Sequence, residues 1–385
     1  MHYIRFLKPP RPLITASPAS LSAKITVTTD LGESFLLSNV SLVVELEFKD
    51  GTSVLGEGKG REFVWKGRDG MRALEILIQV PVSKGGRKIG SEMVRMLVGP
   101  KEDALAVDSF RKILDMQHQN DDSGEIGGIV PIRSMAIDIN PGAKRDDTPG
   151  VGMAQRVFSM GSGNSQKGLR IWEETGESIA RHIWDAGLVF SSCLAFLSLS
   201  DSTRSLSHAQ KLPILKKALQ RPNLRVLELG AGCGIVGITL ASSIALHSVL
   251  LSDLPAASSI LSRNLSTLPL PIRPKLSSQV LDWSSSLPSN VASTRWDLVL
   301  VADCTYNPDV VPDLVATLGR IVERRVVGKE TLVALAMKVR HESEMVFFDL
   351  MRERGFVVRE TIKIPLPVLG GEREEIEIFV FAYRD

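Results

Sequence analysis

Cysteine is scarce: three in 385 residues, Cys193, Cys233 and Cys304. An odd number at such wide spacing makes neither a disulfide framework nor a Cys-x-x-Cys metal site, so a reduced compartment and core-filling roles are expected, with no metal. Excess charge of one sign is also lacking. The 46 Lys and Arg against 44 Asp and Glu leave a net charge of +2, which argues against nucleic acid as the main partner, because duplex binding rests on clustered excess cations. No run reaches the roughly 18 uninterrupted apolar residues of a membrane span. The first 29 residues hold Arg5, Lys8, Arg11 and Lys24 but no acid before Asp30, a composition shared with organelle transit peptides. Pro9, Pro10, Pro12 and Pro18 break any amphipathic helix there. An extended arm is expected, on a cytoplasmic protein that also has access to the nucleus.

What is present is ordinary globular composition, 44% hydrophobic and 23% charged, in a chain long enough for one large core and a second, smaller domain. Residues 1–116 read as a β-rich module: Ile25 and Val27, Phe35-Leu36-Leu37, Val40 to Phe48 with Val43, Val44, Leu46 and Phe48 near alternation, and Leu74 to Val80, with Asp50-Gly51 as a tight turn. Its chemistry is silent, for it lacks a cluster of His, Cys or paired acids. Residues 117–168 read as a linker or mobile loop, given Asn120-Asp121-Asp122-Ser123-Gly124, Asn140-Pro141-Gly142 and Gly161-Ser162-Gly163, with one strand candidate at Ile129 to Ile137. Residues 169–385 read as a single α/β domain.

That domain is organised around Leu224 to Gly237, where the apolar run Val226-Leu227-Glu228-Leu229 meets Gly230-Ala231-Gly232-Cys233-Gly234 and then an apolar helix. Strand, glycine turn and helix make the first unit of a doubly wound α/β sheet, whose crevice opens at the carboxyl end of the strand. The glycines let the backbone approach a ligand closely, and the first N–H groups of the helix are expected to face it. Gly232, Gly234 and Gly237 also satisfy the dinucleotide fingerprint, with Asp253 at the distance of a ribose-binding acid. Glu228 favours a methyl donor instead: a carboxylate beside the turn repels pyrophosphate and attracts the ammonium and sulfonium of S-adenosylmethionine.

Further strands follow. Ser248 to Asp253 ends in an acid placed for a ribose diol, Val280-Leu281-Asp282-Trp283 offers an acceptor and a stacking face to adenine, and Trp296 to Asp303 is a fourth strand. Thr331 to Met337 is a fifth, with Lys338, Arg340 and His341 just beyond it. Gly355 to Ile364 and Glu375 to Tyr383 have no helix between them, so an antiparallel hairpin is expected at the sheet edge.

From Trp184 to the C-terminus the chain resembles the lysine-directed seven-β-strand methyltransferases of the methyltransferase-like family 16. The matching residues are Trp184, Glu228 to Gly234, Asp253, Leu281-Asp282-Trp283 and Asp303-Cys304-Thr305-Tyr306, of which the Asp-x-x-Tyr element is the most specific. The stretch Glu177 to Gly187 looks most like fungal members, some of which modify translation elongation factors. The resemblance implies a Rossmann-like seven-stranded sheet with the C-terminal hairpin, S-adenosylmethionine as cofactor, and a protein substrate such as a translation factor or chaperone. It further implies that Trp184 packs on the donor, that Gly230, Ala231, Gly232 and Gly234 cradle it beside Glu228, and that Asp253 holds its ribose. Asp282 and Trp283 would border adenine, Ala302 would touch the donor through its backbone, and Asp303 and Tyr306 would line the acceptor channel. A small-molecule N-methyltransferase and an NAD-linked oxidoreductase are the alternatives. Residues 1 to about 165 lie outside the resemblance.

Overall fold

The computed structural model describes residues 1–13, 20–56, 58–81, 83–84, 87–88, 93–115, 128–139, 152–160, 168–176, 179–198, 211–244, 248–323, 330–369 and 374–384. The chain forms two compact units: Met1–Lys112 with Asn120–Ser178 and Pro367–Arg373, and Ile113–Gln119 with Ile179–Leu366 and Glu374–Asp385.

The first unit contains β1 (His2–Leu13), β2 (Ser20–Thr28), β3 (Asn39–Phe48), β4 (Arg61–Lys66), β5 (Leu74–Gln79), a ribbon of β6 (Ser83–Lys84) and β7 (Arg87–Lys88), β8 (Met93–Pro100), β9 (Ile129–Val130), β10 (Ile132–Ser134), β11 (Ile137–Asp138), β12 (Met153–Ser159) and β13 (Gly168–Glu174). They pair as one sheet ordered β5-β2-β1-β9 and another ordered β13-β12-β10-β8-β3-β4, with β11 on β8. Inward residues from both sheets share one core, among them Phe6, Leu21 and Ile76 from the first and Leu42, Leu46 and Met96 from the second. In β3 the alternation is strict. Val40, Leu42, Val44, Leu46 and Phe48 point inward, while Val43 lies on the opposite face.

The expected extended arm is β1, an interior strand of its sheet; its register shifts around Lys8 let it pass Pro9 and Pro10 while pairing β2 on both sides of the irregularity. Phe35 to Leu37 form no strand, since only Phe35 bridges to Thr28. The segment expected to be a linker supplies β9 to the first sheet and β10 to β12 to the second, with Pro131 between β9 and β10, and β13 ends the second sheet beside β12; its remaining parts, 117–127, 140–151 and 161–167, lie outside the described residues. Arg156 ties these strands together. Fully buried, it donates to Glu173 at 2.7 Å and to the carbonyls of Val130 and Pro131 at 2.9 and 2.7 Å, with its guanidinium 5.5 Å from the Tyr3 ring centre. Phe110, opening α1 (Phe110–Asp115), stacks on Phe158.

The second unit is an α/β sheet built from β14 (Arg225–Leu229), β15 (Ser248–Asp253), β16 (Leu276–Val280), β17 (Leu298–Ala302), β18 (Leu332–Met337), β19 (Phe356–Pro365) and β20 (Glu375–Tyr383). Their order is β16-β15-β14-β17-β18-β20-β19, with β14 to β18 mutually parallel and β20 antiparallel to both its neighbours. The C-terminal hairpin is therefore present, as expected for two strands joined without a helix. The helices are α2 (Asp185–Leu197), α3 (Pro213–Leu219), α4 (Ile235–Ser243), α5 (Ser258–Ser266), α6 (Ser289–Ser293), α7 (Val311–Val322) and α8 (Val346–Glu353).

Both faces of the sheet are covered, which is why its strands read as unbroken apolar runs. Leu227 and Leu229 of β14 and Val299 and Val301 of β17 pack with Leu314 and Leu318 of α7 and Phe347 of α8. Glu228 falls on the other face, where α4 lies. Truncating one of these leucines to alanine would cost about 2–5 kcal/mol. No helix among the described residues is long and apolar enough to cross a membrane. The strand order reverses between β14 and β17, so the crevice opens at their carboxyl ends.

Candidate active site

The glycine turn leaves β14 with Gly230, Gly232 and Gly234 all in the left-handed region, at φ 66°, 55° and 78°. Space as well as conformation excludes a side chain at Gly230: a Cβ there would sit 2.4 Å from Cys304 Sγ and 3.4 Å from the Trp283 ring. The turn is fastened to the next strand. Ala231 N–H donates to the Ser252 carbonyl at 3.0 Å, and Gly232 N–H donates to Asp253 Oδ2 at 2.7 Å. Asp253 Oδ1 accepts from Leu254 N–H at 2.6 Å. Burial pushes its carboxyl up, against the pull of these two N–H groups.

Glu228 is placed differently from the expectation. Its side chain is buried, and Oε2 accepts the N–H of Gly237 at 2.7 Å. Gly237 is the third residue of α4, so one of the helix's unpaired first N–H groups is capped from within the chain and does not face the crevice. Burial pushes the Glu228 carboxyl up to about 8, opposed by that N–H and reinforced by the Asp253 charge. Buried and bonded to its own chain, it does not stand open at the crevice as the sequence-based argument for a cationic ligand required.

Around the crevice stand the remaining candidates. Trp283 is half-buried, with its indole edge toward Gly230 and its carbonyl accepting from Arg320 at 2.9 Å and Thr317 at 3.2 Å. Asp282 is exposed and turns back on Ser284, accepting from its N–H and Oγ at 2.9 and 2.7 Å; those bonds hold the carboxyl below the usual range. Ala302 closes β17, partly exposed. Tyr306 is 49% exposed, its phenol pushed up by partial burial and by the nearby carboxylates of Asp253 and Asp303.

Asp303 is engaged by a residue to which the sequence reading assigned no role. Arg340 donates to Asp303 Oδ1 and Oδ2, each at 2.8 Å, and its guanidinium lies 5.8 Å from the Trp184 ring centre. Trp184 in turn donates from Nε1 to the Ile179 carbonyl at 3.1 Å. Asp303 has φ 55°, unusual for a residue other than glycine, and its N–H donates to Ala336 on β18. Asp303, expected to line the acceptor channel, is thus half of a bidentate ion pair. Close by, Lys338 Nζ donates to Asp185 Oδ2 at 3.1 Å and Glu374 Oε2 at 2.9 Å, fastening the start of α2 to the end of β18. The one signal of these partners was the run of cations immediately after the fifth strand.

The structure therefore brings Gly230, Gly232, Asp253, Trp283, Ala302, Asp303 and Tyr306 to strand ends or to the loops that follow them, sets Trp184 at the start of α2 against Arg340, and turns Glu228 and Asp282 toward their own backbones. The glycine cradle against Trp283 and the acid at the end of β15 suit a nucleoside-bearing ligand. Residues 163–354 match the family model described as lysine methyltransferase. A protein N-lysine methyltransferase METTL21A of Mus musculus is 30% identical over 49% of this chain and 72% of its own, and an EEF1A lysine methyltransferase 3 of Xenopus tropicalis is 34% identical over 55% and 79%. The chain belongs to the lysine methyltransferase family. A UPF0665 family protein of Schizosaccharomyces pombe is 27% identical over 90% of this lysine methyltransferase and 92% of its own chain, so the likeness there extends over both units. The methyl donor of the family member described here is S-adenosylmethionine, and its substrate is a protein.

Proposed function

We propose that this protein methylates a lysine of a translation elongation factor in the cytoplasm, with the donor held between Trp184, the turn at Gly230 to Gly234, Asp253, Trp283 and the backbone of Ala302, and the acceptor lysine beside Asp303 and Tyr306. The observation that carries the reading is the cradle itself: Gly230, with no room for a Cβ against Cys304 and Trp283, lies next to the end of β17, where Asp303 begins the Asp-x-x-Tyr element. The name of one relative supports an elongation factor as acceptor.

S-adenosylmethionine supplies a sulfonium-bound methyl group for in-line displacement by an amine. The protein's own residues then have three tasks. Asp253 accepts hydrogen bonds from a ribose diol through the lone pairs not used by Gly232 and Leu254. Asp303 and Tyr306 orient the amine, and since a lysine amine ordinarily titrates near 10.4, they must receive it without stabilising its ammonium form. The Trp184 and Trp283 rings exclude water from the crevice.

Residues 1–116, expected as a β-rich module, are proposed to recognise the protein substrate, because they are patterned to fold and lie outside the stretch matched to the family model. Incubation of the full chain with labelled S-adenosylmethionine and recombinant elongation factor 1A tests the acceptor. Label on a lysine of that factor is expected. Label confined to small molecules, or to other proteins of a cell extract, would overturn the choice of acceptor.

A further inference from the structure

Asp303 begins the Asp-x-x-Tyr element proposed to face the incoming lysine, yet both its oxygens are held by a cation of the same chain. A carboxylate left bare at that position would stabilise lysine as ammonium, the form without a lone pair for attack. The guanidinium of Arg340 removes that obstacle. Its fork takes one hydrogen bond to each oxygen at 2.8 Å, its side chain is only 17% exposed and that of Asp303 6%, and its face lies on Trp184. The fork geometry is one that Arg forms and Lys does not. Arg340 is itself positioned, since its N–H donates to the Glu344 carboxylate at 3.0 Å, a group that also accepts from His341 N–H.

We propose that Arg340 is a positioning residue for methyl transfer: it compensates the charge of Asp303, so that the target lysine meets an ion pair and enters as a neutral amine, and it holds Asp303 and the donor-side Trp184 with one side chain. The inference rests on the reading of Asp303 as an acceptor-site residue. Other ionisable groups stand near the pair. Lys338 directs its ammonium to Asp185 and Glu374, while its N–H donates to Asp303 Oδ1 at 3.5 Å; Glu344 accepts from the backbone of Arg340; Asp253 ends β15, Cys304 and Tyr306 follow β17, and Glu228 is buried within β14.

The test follows methyl transfer from labelled S-adenosylmethionine across pH, with recombinant elongation factor 1A and, in parallel, unmethylated cell-extract protein as acceptors, for the wild type, Arg340→Lys, Arg340→Gln, Asp303→Asn and Asp303→Asn/Arg340→Gln. Arg340→Gln should move the rising limb of the rate profile up by about one pH unit, lowering the rate near neutrality about tenfold, while affinity for S-adenosylhomocysteine stays within about threefold. Calorimetry with S-adenosylhomocysteine present should show this variant binding the acceptor more tightly than wild type at neutral pH, and acetylating the acceptor's lysines should abolish the gain. Arg340→Lys, which keeps the charge, should hold the wild-type limb, and the double variant should return to it. Asp303→Asn, leaving the guanidinium uncompensated, should shift the limb downward, so the comparison survives if Arg340→Gln does not fold. An unmoved limb in both single variants, a double variant that stays displaced, or equal losses of melting temperature, donor affinity and rate in every Arg340 variant would overturn the proposal. Labelling of extract protein but not of the elongation factor would overturn only the choice of acceptor, and the comparison run on the extract still decides the role of Arg340.

Discussion

The Glu228 carboxyl accepts the N–H of Gly237 at 2.7 Å from beneath the glycine turn, and a Cβ on Gly237 would stand 2.5 Å from that same oxygen. A group whose folded-state titration is raised contributes stability that is present below its ordinary range and is lost as pH climbs through the raised value. With Glu228 pushed up to about 8 by burial, melting temperature should fall as pH rises from about 5 to 9. Glu228→Gln, which keeps an oxygen for Gly237 and cannot ionise, should flatten that decline. An equally steep fall in the variant would assign the alkaline instability elsewhere.

Gly230→Ala should lose donor affinity and stability together, because it forces a left-handed residue worth about 1–2 kcal/mol of strain and drives its Cβ to 2.4 Å from Cys304 Sγ. Adding Cys304→Gly should recover part of the melting temperature and leave the backbone strain. Full recovery would mean that φ at this position matters little.

Asp253→Ala removes the acceptor for two backbone N–H groups of the crevice. Affinity for S-adenosylhomocysteine should fall by about 1.5–3 kcal/mol, measured by calorimetry, with a smaller drop in melting temperature. Unchanged affinity would reduce Asp253 to a turn cap.

Asp303→Ala leaves the Arg340 guanidinium, mostly buried, without its carboxylate. Turnover should fall steeply and stability by a few kcal/mol at most, given partial access to water. Tyr306→Phe, at a half-exposed ring, should keep melting temperature and donor affinity and lower turnover less. Single-turnover rates near wild type in the stable variants would remove both residues from the acceptor site.

Removing residues 1–178 takes every described strand of the β-sandwich, β1 to β13, together with Ile113–Gln119 of the second unit, whereas a cut at 165 strands β13 without β12. If the sandwich recognises substrate, the shorter chain should still bind S-adenosylhomocysteine and should lose methylation of the protein acceptor, read by calorimetry and label incorporation. Undiminished methylation would refute the docking role.

The sequence by itself determined what is local in the chain. The apolar run, the glycines and the helix after them announce the turn at Gly230 to Gly234, a missing helix announces the hairpin of β19 and β20, and strict alternation announces β3. These signals survive in one dimension because each depends on residues a few positions apart. Which strands the polar, proline-broken stretch of 129–174 would join could not be read that way, for β9 pairs with β1, and β10 and β11 with β8, partners far away in sequence. The same holds for charge. Glu228 looked like a ligand's counter-ion and became a buried cap for α4, and Asp303 acquired its partner Arg340 from 37 residues away, past the end of β18. Folding decides such pairings because desolvating a carboxyl forces it to find a donor or a proton, and the donor it finds is set by which strand ends the sheet order brings together.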